Sequence, residues 1–157
     1  MNTFLKSFLP IVLTAAMLFV LLLHPLDRVE GQAPKLPYHD HAPTEPLPPT
    51  MYPEQFPDNA SRVAYRLASR VPKTLYQVPC YCPCHRREGH QSLLDCFISK
   101  HGAHCHICQQ EAVFSFLERQ KNKGPRQIRK DLAEGKASRI DMEEMVKRFA
   151  PTEQAPK

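Results

Sequence analysis

Six cysteines fall between Cys80 and Cys108 with the spacing C-x-C-x-C-x11-C-x8-C-x2-C, and five of the chain's eight histidines, His85, His90, His101, His104 and His106, share that window. Thiolate sulfur is the soft nucleophile and soft metal ligand of proteins, and imidazole complements it in both roles. Three chemistries are open to such a set: holding a soft ion such as Cu(I) or Zn(II), exchanging electrons through thiols and disulfides, or cross-linking a small fold. The spacing argues against the more familiar cofactors. Covalent haem needs C-x-x-C-H, whereas Cys105-His106-Ile107-Cys108 is followed by Gln109, and Cys82-Pro83-Cys84-His85 is one residue short. Zinc ribbons need two C-x2-C units and only one is present, and the ferredoxin spacing is missing. No haem and no nucleotide is expected.

The remaining reading is a thiolate-rich site. Its candidate metal ligands are Cys80, Cys82, Cys84, Cys105 and Cys108, with His85, His104 and His106 as imidazole donors. Pro79 and Pro83 restrict the loop that carries the first three thiols, which lowers the entropy lost when they converge. Cys96, inside Leu93-Leu94-Asp95-Cys96-Phe97-Ile98, is either a disulfide partner or a buried small hydrophobe. In the competing redox reading Cys80, Cys82 and Cys84 supply the attacking and resolving thiols and Cys105/Cys108 a second pair, with Arg86 and Arg87 close enough in sequence to favour a thiolate. In the third reading, disulfides or zinc staple a small interaction domain.

The elements that must position these residues are helical. Asp58 or Asn59 can cap a helix with Val63, Leu67 and Val71 on one face and Pro72 at its end. Residues 92–98 predict a buried helix of about two turns, with a strand as the alternative. A longer helix is expected from near His104 to about Asn122, with Val113, Phe116 and Leu117 inward and Gly124 stopping it. Pro125 then opens a helix closed by Gly135, and Ser138 with Asp141 start a last one bearing Met142, Met145, Val146 and Phe149. The fold class is all-α: a small bundle of about four to five short helices with a Cys-rich loop over residues 58–150. A domain of that size buries a limited core, and cross-links or metals commonly support such domains.

Two segments precede this domain. Residues 1–23 contain the uncharged run Phe8 to Leu23 behind Lys6, the pattern of a signal peptide or membrane anchor. Residues 24–57 carry nine of the 16 prolines and predict an extended linker, in which His39-Asp40-His41 is solvated rather than metal-binding. Residues 151–157 are expected as a disordered tail. From Asp58 onward 18 Lys/Arg face 11 Asp/Glu, but the basic run from Arg119 to Lys130 has no aromatic interleaving or reading motif, so nucleic acid is not an expected partner.

PCYCPC at 79–84, His90-Gln91-Ser92-Leu93, Asp95-Cys96-Phe97-Ile98 and Cys105-His106-Ile107-Cys108 together resemble the bacterial PCYCGC-motif (CYCXC) family of exported cysteine-rich proteins over residues 60 to 150. Pro83 stands where the family motif carries glycine, and no lipobox cysteine follows the apolar run. The resemblance implies export in a bacterium and a Cys-rich domain, and supplies no reaction. The combined expectation is an extracytoplasmic metal-binding protein for trafficking, sensing or protection, rather than an enzyme. It would be anchored in the cytoplasmic membrane by its N-terminal segment, or secreted if that segment is cleaved, with a metal ion or thiol as partner.

Overall fold

The computed structural model describes residues 35–150, and within them the fold is all-α, with six α-helices and short 3-10 turns and no strand. The anticipated signal or anchor at 1–23, the first part of the linker and the tail at 151–157 lie outside the described residues. Among the described residues no helix is long and apolar enough to cross a membrane.

Helix α1 (Asn59–Ala68) begins where Asp58 accepts a hydrogen bond from the Ser61 amide at 2.7 Å, and it buries Val63, Ala64, Tyr65, Leu67 and Ala68. It ends four residues before Pro72, which opens the short α2 (Pro72–Tyr76), an element not foreseen from the sequence. The chain then enters the loop bearing the clustered cysteines and makes a single turn, α3 (Cys84–Arg87). The apolar run at 92–98 forms a 3-10 turn, Leu94–Cys96, in place of a two-turn helix or a strand. Local polar groups explain this: Asp95 accepts from the amides of Gln91 and Ser92 at 2.6 and 3.0 Å, a side-chain turn that competes with helix propagation. A second 3-10 turn, Lys100–His104, follows.

Helix α4 (His106–Gln120) is the central element, packed chiefly on α1 and buried on most of its circumference. Val113 and Phe116 point inward as expected, while Leu117 is only half-buried. The helix stops before Gly124: Asn122 adopts φ 61° and the Lys123 amide reaches back to the Glu118 carbonyl, a left-handed C-terminal cap made by asparagine. Gly124 instead precedes Pro125 at the start of α5 (Pro125–Ala133), where the Gln127 side chain accepts from its amide at 3.1 Å. Gly135 at φ 72° closes α5, as its position suggests. Ser138 lies in the 3-10 turn Lys136–Arg139, and Asp141 alone caps α6 (Met142–Phe149) by accepting from Glu143 and Glu144.

The Pro-rich stretch anticipated as a spacer lies along the domain in its described part. The Met51 amide donates to Phe97 O at 2.9 Å, His39 stacks on Tyr76 at 3.8 Å between ring centroids, and Arg129 covers Tyr38. Prolines prevent this segment from folding on itself, but they leave its aromatic and apolar side chains free to dock. Phe56, whose ring lies tilted against that of Tyr65 at 4.1 Å between centroids, is part of the core.

Candidate metal centre

In an extended chain alternate side chains point the same way, and the C-x-C-x-C spacing uses that period. Cys80, Cys82 and Cys84 are buried while Tyr81 and Pro83 between them face solvent. The loop is pinned from behind by α4: both carboxylate oxygens of Glu111 accept from the Tyr81 amide, at 3.0 and 3.3 Å. Leu93 N–H donates to Val78 O at 2.9 Å, tying the start of the loop to the turn that carries Cys96. Cys105 is the residue before α4 and Cys108 lies in its first turn, three positions on and on the same face.

The six sulfurs converge at this junction. Cys80 Sγ lies 3.3 Å from Cys82 Sγ and 3.4 Å from Cys108 Sγ, Cys108 lies 3.6 Å from both Cys82 and Cys96, and Cys84 lies 3.8 Å from Cys96. All six cysteines are free thiols, and all but the half-buried Cys105 are buried. Two histidines complete the cluster: His90 Nδ1 is 3.3 Å from Cys96 Sγ, and His101 Nε2 is 3.6 Å from Cys82 Sγ. Their rings meet edge to face at 5.0 Å. The sulfur separations exceed the S–S bond of about 2.05 Å. They approach the edge of about 3.8 Å that a tetrahedron of Zn–S bonds of about 2.3 Å requires.

All five cysteines expected as ligands are therefore brought together, and Cys96, read as a disulfide partner or buried thiol, joins them as a central member. Of the histidines, His85, His104 and His106 belong to none of the sets of mutually close donors, in which His90 and His101 stand instead. His104 and His106 are exposed, because residues adjacent to Cys105 at the helix entrance share no face with it. His85 Nδ1 is buried with no hydrogen-bond partner among the described residues. The roles of His90 and His101 depend on two separate turns folding against each other, which no local spacing reports. Glu111 was hidden in the same way, as one more polar residue of a helical run.

Crowded thiols cannot all ionise, and they divide by hydrogen bonding. The thiol of Cys82 is lowered by hydrogen bonds from Cys80 and Cys96, with His101 adding to the effect. Cys84 is lowered by the same two donors, and Cys108 by Cys105, Cys80 and Cys96. The donors Cys80, Cys96 and Cys105 are correspondingly raised, each chiefly by its bond to Cys108. The N-terminus of α4 adds a favourable dipole beside Cys108. Burial pulls His101 down, but its bond to Cys82 and the negative sulfurs around it raise it overall. Burial pushes Glu111 well above the usual carboxylate range, against the opposing hydrogen bonds from Cys80 and Tyr81. Sulfurs biased towards ionisation beside thiols that can lose their protons are an arrangement suited to capturing a soft cation.

The sequence model of one family, described as a protein of unknown function with PCYCGC motif, matches residues 42–138. No curated protein and no solved structure matches the chain.

Proposed function

The chain belongs to the PCYCGC-motif family, and from that premise we propose that it is an extracytoplasmic binding protein holding a soft ion, Zn(II) or Cu(I), in a buried thiolate/imidazole centre. The observation that carries this reading is the convergence of six sulfurs and two imidazoles, from three separate chain segments, into overlapping groups whose donor atoms lie within 4.8 Å of one another. Hard ions such as Ca(II) or Mg(II) prefer oxygen donors, and the centre is built from sulfur and nitrogen. The donors are those of Cys80, Cys82, Cys84, Cys96, Cys105 and Cys108 with His90 and His101.

Burial favours binding over turnover. A thiol-disulfide or peroxide enzyme needs an attacking sulfur that its substrate can reach, and only Cys105 is more than slightly exposed. The stapled-domain reading merges with the metal reading, because the sulfurs sit within the hydrophobic core and an ion held there also holds the helices. The uncharged run at 8–23 supports placement outside the cytoplasmic membrane, where the protein would traffic, sense or sequester the metal.

Elemental analysis combined with free-thiol counting on the full-length protein tests the proposal. Metal at or above one equivalent per chain is expected, with the double substitution Cys82→Ser and Cys84→Ser removing most of it. A protein whose thiols pair as disulfides and which retains no metal after reduction and reloading would overturn it.

A further inference from the structure

Resting on the metal-binding reading, we propose that the centre is binuclear, with Cys80 completing the donor set of the second ion. A tetrahedral ion takes four donors, and eight converge here. They form two four-donor sets, Cys82, His101, Cys105 and Cys108 on one side and Cys84, His90, Cys96 and His101 on the other, with only His101 in common. An imidazole nitrogen holds one ion. His101 turns Nε2 towards Cys82 at 3.6 Å, which assigns it to the first set and leaves the second one donor short.

Cys80 fills that vacancy. Its sulfur belongs to one group of close donors with Cys82 and Cys84 and to another with Cys96 and Cys108. Two of those four neighbours, Cys82 at 3.3 Å and Cys108 at 3.4 Å, are ligands of the first ion, and the other two, Cys84 and Cys96, are ligands of the second. With Cys80 in the second set, the eight donors divide into four for each ion, which fills two tetrahedral sites with none left over. Charge supports the same count. Six thiolates around one divalent ion would leave four uncompensated negative charges in the core, and a second ion halves that excess.

The experiment is an anaerobic titration of the reduced, metal-stripped full-length protein with Co(II), followed by optical absorption and alkylation of unbound thiols. The expected result has two parts: absorption of tetrahedral thiolate-bound Co(II) rising linearly to two equivalents, and all six thiols protected at the endpoint. Saturation at one equivalent with thiols left open to alkylation would overturn the binuclear centre and leave the metal-binding proposal standing. Failure to bind any Co(II) would remove both proposals. His90→Gln, at a half-buried position, is expected to lower the stoichiometry from two to one while the first ion is retained; unchanged binding of two ions would contradict the assignment of His90 to the second set.

Discussion

Gly102 is the residue on which the closest packing around the centre depends. A Cβ there would meet the Cys96 carbonyl oxygen at 2.9 Å, a Phe97 ring carbon at 3.0 Å and the Tyr65 hydroxyl at 3.2 Å. The hydroxyl cannot retreat freely, since it donates to Ser99 O at 2.6 Å and reaches Cys96 O at 3.3 Å. Gly102→Ala would therefore push the turn carrying His101 away from the turn carrying Cys96. We expect a cost of about 1–3 kcal/mol in denaturant unfolding, together with weaker metal retention in competition with a chelator. Wild-type stability and retention would show that the neighbouring backbone absorbs the methyl group. The convergence of the C-x-C-x-C loop and the C-x2-C pair follows from spacing alone, through the extended and helical periods respectively. The inclusion of Cys96, His90 and His101 does not, because it is set by hydrogen bonds and close contacts between turns far apart in the chain.

At the scale of elements, an ion-pair network joins the end of α4 to α5. Lys123 bridges Glu118 and Asp131, at 2.8 Å to the latter, and Asp131 also pairs with Lys136 while Lys121 meets Glu118 at 2.7 Å. Lys123 and Lys136 hold Asp131 below its usual range, and hydrogen bonds from Lys121 and Lys123 outweigh burial to lower Glu118. A carboxylate lowered in the folded state stabilises above its unfolded value of about 4 and loses that contribution as pH falls through the lower, folded value. The melting temperature of Asp131→Asn should therefore lie below wild type at pH 7, and the difference should shrink as the pH is lowered through 4 towards 3. High salt should narrow it at pH 7 as well, since the lysines are exposed enough to be screened. A difference that is constant across this range would assign the residue a packing role instead. The helices joined here were readable in advance from apolar spacing, Pro125 and Gly135. The end of α4 was not, because Asn122 supplies the left-handed residue that glycine usually provides.

For the whole molecule, the position of the centre would make the proposed metal binding and folding one process. Cys80, Cys82, Cys84, Cys96 and Cys108 belong to the same buried cluster as Tyr65, Leu75, Leu93, Phe97 and Val113, so the sulfurs occupy volume that another small domain would fill with hydrocarbon. Without an ion this core retains thiolates and thiols in contact, with charge that burial penalises. An ion present at about a thousand times its dissociation constant stabilises the fold by about 4 kcal/mol. In a domain of this size each kcal/mol moves the melting temperature by roughly 4–8 °C. Stripping the metal from the reduced protein should therefore lower the midpoint by about 15–30 °C, with Zn(II) restoring it and Mg(II) having no effect. The loss should appear first in amide exchange around 78–108, where three turns and the start of α4 depend on the shared centre, and later in α5 and α6, which are anchored partly by the Arg129 bond to Gln77 O and the Arg66 bond to Phe149 O. A midpoint unchanged by chelation would mean that hydrocarbon packing alone holds the helices, and that any ion is cargo the fold does not need.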